Sequence, residues 1–222
     1  MVHPTVAAWS SKPWTDAPLV AVDLEGTGGQ DRDDEAILEI AAIRLLDGVP
    51  DTDTAYTTLV NPGRPVPPRR WISPGLAGDA LADAPALAVV EPHLAARLND
   101  RILIGHNVGV DWRLLRRRCP AIAPAALLDT HKLARVLNVS SPRGLTTLLD
   151  EMHLIEAVNA AAPSSQPHRA LWDTAGTALL LGALVRRSWP STPMLATVIA
   201  ACGQPVEDPS PTVSTSDETT LF

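Results

Sequence analysis

Asp23 and Glu25 stand two residues apart at the end of an apolar run, Leu19-Val20-Ala21-Val22. On a strand, residues two apart point to the same face, so the pair would present two carboxylates to one side. His106, Asn107 and Asp111 follow a second short apolar run, Arg101 to Gly105, and His168 and Asp173 follow a Pro-bounded stretch, Ala160 to Pro167. Five residues of helix turn through ~500°, so His168 and Asp173 cannot share a helical face. His168 is better placed on the loop, with Asp173 inside the helix that follows. Taken singly, these pieces are a polar strand end, an Asp offsetting a helix dipole and a surface His. Taken together, they bring four carboxylates and a His to one place. Four crowded carboxylates in apolar surroundings repel unless cations lie among them. Hard oxygen ligands select Mg²⁺ or Mn²⁺ rather than zinc. Two such ions about 3.5–4 Å apart can activate a water and stabilise the leaving oxygen of an in-line phosphoryl displacement. A His that titrates near neutrality suits removal of that water's proton.

The elements that must hold these groups are visible in the pattern. Leu19 to Glu25 reads as a strand buried on both faces, closed by a turn at Gly26, Gly28 and Gly29. Open α/β sheets place ligands at such strand ends. Ile37 to Leu46 precedes Asp47-Gly48, a hairpin signal, and Tyr56 to Val60 is the return, which predicts three antiparallel strands. Asp31 to Glu35 reads as a solvated charged loop, and Pro62 to Pro85 as a long Pro- and Gly-rich loop. Leu87, Val90, Leu94 and Leu98 recur at helical spacing. Arg101 to Gly105 and Leu127 to Asp129 are short strands, and Asp111 to Arg118 and Thr130 to Leu137 are helices. Leu145, Leu148, Leu149 and Met152 mark a further helix, Arg169 to Arg187 the longest one, and Met194 to Cys202 a small last one. The expectation is an α/β layer fold with a mixed sheet. Its divisions are an N-terminal extension at 1–18, one domain at 19–203 and a Pro-, Ser- and Thr-rich disordered tail at 204–222.

Composition narrows the function. With 222 residues, 45% of them hydrophobic and 19% charged, the chain can bury a sizeable core without disulfides or structural metal. The two cysteines, Cys119 and Cys202, form neither a zinc signature nor a disulfide framework. A net charge of −7 and an aromatic share of 4% disfavour a coating protein that neutralises phosphates or stacks many bases. They leave room for an enzyme that meets phosphates through bound cations. No signal peptide and no apolar run of the ~20 residues needed for a membrane span is visible, so a cytoplasmic, membrane-free protein is expected. Trp112 and Trp172 read as core residues, and Arg116 to Arg118 as a solvated helix end.

Asp23-Leu24-Glu25-Gly26-Thr27-Gly28, Gly105-His106-Asn107-Val108-Gly109-Val110-Asp111 and His168-Arg169-Ala170-Leu171-Trp172-Asp173 resemble, in order and spacing, the three motifs of the DEDDh, or DnaQ-like, 3′→5′ exonucleases. That family is typified by the proofreading subunit of bacterial DNA polymerase III. The resemblance runs from about Leu19 to Arg187, and Gly26 stands where the family often has Thr. It implies a ribonuclease H-like fold, a mixed five-stranded sheet flanked by helices. It implies that Asp23, Glu25, Asp111 and Asp173 hold two divalent cations, Mg²⁺ or Mn²⁺, and that His168 is the general base. Leu24, Thr27 and Gly28 would meet the terminal nucleotide, and His106 and Asn107 would sit beside the substrate. The implied activity is hydrolysis of phosphodiester bonds at single-stranded 3′ ends, of DNA first, with release of nucleoside monophosphates. Its rivals are an exoribonuclease and a non-catalytic domain that binds nucleic acid or a replication partner. A polymerase is a possible partner. The ending Asp217-Glu218-Thr219-Thr220-Leu221-Phe222 is similar to sliding-clamp-binding peptides, with Glu218 in place of their usual Gln.

Overall fold

The computed structural model describes residues 3–138 and 144–206. Seven strands form one mixed sheet: β1 (Leu19–Gly26), β2 (Ile37–Leu46), β3 (Val49–Pro50), β4 (Tyr56–Leu59), β5 (Ile102–Gly105), β6 (Ala126–Asp129) and β7 (Gly203–Gln204). Their order is β3-β2-β1-β5-β6-β7, and β4 also pairs with β2. The β1–β2 and β2–β4 pairs are antiparallel, as the hairpin signal at Asp47-Gly48 predicts, whereas β1–β5 and β5–β6 are parallel.

Eight helices accompany the sheet among the described residues: α1 (Pro4–Trp9), α2 (Leu87–Leu98), α3 (Val108–Arg118), α4 (Thr130–Val136), α5 (Leu145–Glu151), α6 (Ile155–Ala161), α7 (Ala170–Ser188) and α8 (Leu195–Cys202). The unbroken apolar run of β1 follows from its central place. Leu19 and Ala21 pack with α7 residues such as Ala178 and Leu181, while Val20 and Val22 pack with Leu94 of α2 and Leu115 of α3. A strand covered on both faces has no side left for polar residues until it emerges at Asp23.

Five strands have four residues or more, which is the expected sheet; β3 and β7, of two residues each, extend it. Strands that short carry no periodic signal. The long loop at 62–85 folds on a small core of its own, Leu38, Val66, Leu76 and Leu81, and is pinned by a bridge between Val66 and Gly78. The composition-based reading also misses α6, which lies partly in the stretch taken as loop.

Two boundaries differ from the expectation. Trp14, in the N-terminal stretch, is 4% exposed within the main core, and Pro13 bridges to Met194. Gln204 lies in β7, and the Val206 carbonyl accepts the Trp112 indole N–H at 2.7 Å, so 204–206 belong to the folded body. The rest of the tail, with Leu221 and Phe222, lies outside the described residues. The charged run at 31–35 is not simply solvated either. Glu35 is 3% exposed and accepts both arms of Arg113, at 2.6 and 2.8 Å. Arg117 pairs with Asp33, and Arg118 donates to the Glu35 carbonyl. The basic end of α3 therefore ties down this loop. Among the described residues no helix is long and apolar enough to cross a membrane.

Candidate active site

The site forms where β1 leaves the cover of the helices. Asp23 and Glu25 project from the end of the strand, and Asp173 reaches them from the first turn of α7. One carboxylate oxygen from each of the three lies within 4.8 Å of the others. All three residues are half-buried, and Asp23 Oδ2 is a buried oxygen with no hydrogen-bond partner. An orphaned buried carboxylate oxygen facing two further carboxylates fits a cation and no hydrogen-bond donor of the chain.

The electrostatics agree. Burial, with Asp111, Asp173, Glu25 and Glu39 nearby, pushes the Asp23 carboxyl well above the usual range. Burial pushes Glu25 up to about 8, with Asp173, Glu39 and Asp111 adding to it and the Ser73 hydroxyl opposing it. Burial likewise raises Asp173 to about 6, against the opposing pull of His168. Asp111 is raised by burial to about 7, but it stands aside from the trio: its Oδ1 accepts the Leu24 amide N–H at 3.3 Å. The structure therefore gathers three of the four acids tightly and turns the fourth toward the backbone of β1.

The turn after β1 differs from its sequence reading. Thr27 is wholly buried; its hydroxyl accepts the Ala36 amide N–H at 3.0 Å and its amide donates to the Ala36 carbonyl. Its side chain thus holds the turn and is not open to a nucleotide. Gly28 has φ of 94°, which glycine adopts without cost. At Gly26 a Cβ would stand 3.1 Å from Leu114 and 3.2 Å from the Ala36 carbonyl, a tight fit that accounts for glycine there.

His168 is exposed, on the loop before α7, with φ of 64°. A non-glycine residue in the left-handed region costs about 1–3 kcal/mol, so its surroundings must hold it. His106 Nδ1 lies 2.9 Å from Thr130 Oγ1, and its ring meets His131 edge to face. Asn107 also has a left-handed backbone, φ 65°, at the start of α3, and its amide donates to Asp129 Oδ1 at 2.9 Å. Asn107 therefore shapes the turn that delivers Asp111. A cavity of about 360 Å³ opens beside the acids, lined by Asp23, His106, Gly144, Leu145, Thr146, Thr147, His168 and Asp173.

Several residues at the site carried no motif. Ser73, 6% exposed, donates its hydroxyl to the His168 carbonyl and lies 3.2 Å from Glu25 Oε2. Trp71, 49% exposed, donates its indole N–H to the Thr27 carbonyl at 3.2 Å, with the Arg69 guanidinium 5.6 Å from its ring. Glu39 is the cross-strand partner of Glu25 and accepts both arms of Arg169. A signal for Glu39 did exist: it is the one acid in the otherwise apolar stretch Ile37 to Ile43. A buried acid of that kind needs a cationic partner.

A mixed sheet that delivers two acids from its first strand against a third from a crossing helix defines a ribonuclease H-like nuclease. The chain belongs to the RNase T family, described as "Exonuclease", whose model matches residues 20–181. It is 30% identical over 176 residues to a DNA polymerase III subunit epsilon-like protein of Rhodobacter capsulatus, which covers 78% of this chain and 24% of that protein. It is 31% identical over 199 residues to a candidate bifunctional exonuclease/endonuclease of Mycobacterium tuberculosis, covering 84% of this chain and 30% of that protein. The chain thus spans less than a third of the length of these two relatives. Among solved structures, Exonuclease X in complex with 5′-overhanging duplex DNA shares 28% identity at a TM-score of 0.58, covering 81% of this chain and 98% of that one. The Mg²⁺- and Mn²⁺-bound form of Pop2p from S. pombe has the same fold, at 14% identity and a TM-score of 0.59.

Proposed function

We propose that the chain is a metal-dependent 3′→5′ exonuclease that removes nucleoside monophosphates from single-stranded 3′ ends, with DNA as its substrate. The observation that carries the reading is the convergence of Asp23, Glu25 and Asp173 within 4.8 Å around the orphaned Asp23 Oδ2. Support for DNA comes from the DNA complex of Exonuclease X and from the epsilon-like relative. Asp23, Glu25, Asp111 and Asp173 would hold two divalent cations, Mg²⁺ or Mn²⁺. When bound, such cations supply a nucleophilic water and charge stabilisation at the phosphoryl oxygens.

The chain's own residues do the rest. The 3′-terminal nucleotide enters the cavity between His106 and α5, where Thr146 and Thr147 offer polar contacts. The turn from Leu24 to Gly28 faces its sugar through the backbone. Trp71, exposed and clamped on the Thr27 carbonyl after β1, offers a flat face on which a base can stack. His168, on its exposed loop, takes the proton of the attacking water. The water oxygen bonds to phosphorus, the bond to the 3′ oxygen of the preceding nucleotide breaks, and that oxygen leaves as an alkoxide that takes a proton from solvent water to become the new 3′ hydroxyl.

The test is incubation of matched 3′-labelled DNA and RNA oligomers with Mg²⁺ or Mn²⁺, read by length. Shortening of DNA from the 3′ end supports the reading, preferential shortening of RNA makes the chain an exoribonuclease, and binding without shortening of either makes it a non-catalytic module. The proposal extends to a polymerase partner and, separately, to a sliding clamp reached through Leu221 and Phe222. Deleting those two residues should leave activity on free oligomers intact and lower retention on an immobilised clamp; equal retention removes the partner.

A further inference from the structure

The segment that carries His168 is held from two sides by groups that no motif marks. On one side, Glu39 of β2 is 5% exposed and lies 131 residues from the helix it contacts. It accepts Arg169 Nε at 2.7 Å and Arg169 Nη2 at 2.8 Å, a fork-to-fork pair, and also the Ala170 amide N–H at 3.3 Å. Arg169 caps α7 without a side-chain bond of its own to the helix, so Glu39 does the capping from the neighbouring strand. On the other side, the Ser73 hydroxyl donates to the His168 carbonyl while lying 3.2 Å from Glu25 Oε2. Between the two clamps sits His168, with its left-handed backbone.

A buried ion pair is weak support for stability, because well-packed apolar residues do as well. Its geometric specificity is another matter: a guanidinium fork fixes direction as well as distance. Here the pair fixes the residue next to His168 and the first turn of α7, from which Asp173 projects. We propose that Glu39, Arg169 and Ser73 are positioning residues that set His168 and Asp173 against the carboxylates of β1. This rests on the functional reading above, in which His168 takes the proton and Asp173 is a ligand.

The test uses the full chain with Arg169→Ala, Arg169→Lys, Ser73→Ala and Ser73→Thr. The first readout, amide hydrogen exchange, does not need activity. In Arg169→Ala, exchange at residues 168–173 should rise by about tenfold or more while that of β5 and α3 stays put, since the change is local. Millimolar guanidinium, but not equal NaCl, should restore that protection, because the free ion can occupy the vacated fork site. The second readout is turnover. Loss of a partner that orients a ligand typically costs about 10–100-fold in activity, and here the loss should fall on kcat with KM for the oligomer changed by less than about threefold. Ser73→Ala should lose kcat and Ser73→Thr keep it, and Arg169→Lys should remain impaired, since an ammonium cannot make the fork. The proposal is overturned by exchange that rises through all of α7 or nowhere, by protection that guanidinium does not restore, or by kcat per folded molecule equal to that of the unaltered chain. An unaltered chain that cleaves neither DNA nor RNA would sink the functional reading alone; the exchange and guanidinium results would still decide the clamp.

Discussion

Removal of metal should make this protein less stable as pH rises, opposite to the trend of most carboxylate-rich proteins. Glu25 is held at about 8 in the folded chain, against roughly 4.3 when unfolded. A folded-state pKa above the unfolded one means the folded form keeps a proton that the unfolded form gives up. No penalty exists below about pH 4; it grows through the interval up to about pH 8 and then levels off. At ~1.4 kcal/mol per pH unit, the span for Glu25 alone reaches about 4 kcal/mol near pH 7.5. Partial solvent access at this half-buried site trims it to about 2–4 kcal/mol. For a chain of this size each kcal/mol moves Tm by about 2–4 °C, so the fall should be on the order of 4–16 °C. The assay is a set of thermal melts in EDTA between about pH 5.5 and pH 8.5, repeated with saturating Mn²⁺. Metal at 100 times its Kd stabilises by about 2.7 kcal/mol, so most of the loss at high pH should return. The Glu25→Gln variant should melt higher than the unaltered chain in EDTA at high pH, and flatten the slope, while losing activity. A flat or rising Tm in EDTA across this interval, or an unchanged slope in Glu25→Gln, would refute the reasoning.

His168→Ala should lower kcat by about 10²–10⁴-fold and leave Mn²⁺ affinity near that of the unaltered chain, whereas Asp173→Asn should weaken both; Mn²⁺ titration beside turnover separates the two. Trp71→Ala should raise KM for single-stranded oligomers by about 5–100-fold, the worth of one base stack, and Trp71→Phe should recover part of it; equal KM for all three forms would remove the stacking role. Trp14→Ala should cost about 3–5 kcal/mol by denaturant titration, because that side chain is 4% exposed in the main core; a loss under about 1 kcal/mol would return the N-terminal stretch to the status of an appendage.

The acids of the site were legible because each sits in a local pattern. Asp23 and Glu25 close an apolar strand at a period of two, and Asp173 opens the longest helical pattern of the chain. The partners of those acids were not legible, because they depend on contacts between distant segments. Nothing local to Asp111 says that the Leu24 amide, 87 residues away, will donate to it, and nothing local to Ser73 points at His168. Thr27 shows the reverse error. A hydroxyl beside a glycine turn reads as a ligand contact, yet closure of the turn onto Ala36 spends both its hydroxyl and its amide. β3 and β7 escaped notice because two residues cannot display a period, and α6 because its alanines carry no apolar stripe.

The chain solves the problem of a buried carboxylate twice in the same way. Glu35, 3% exposed, receives the fork of Arg113; Glu39, 5% exposed, receives the fork of Arg169. Both pairs reach from one element to another, and both satisfy the carboxylate with two charge-assisted bonds. Asp23 and Glu25 lie on the neighbouring strand β1 and Asp173 on α7, and no arginine or lysine pairs with them among the described residues. Glu39 is even the cross-strand neighbour of Glu25, so a cation was available at that spot and went to the acid that is not at the strand end. The three carboxylates without an arginine or lysine partner stand together beside the cavity and next to His168. Unlike Glu35 and Glu39, which an arginine satisfies, and Asp129, which backbone amides satisfy, this cluster leaves Asp23 Oδ2 without a partner in the chain. Under the proposed function, divalent cations would meet that oxygen and supply charge stabilisation for a phosphodiester.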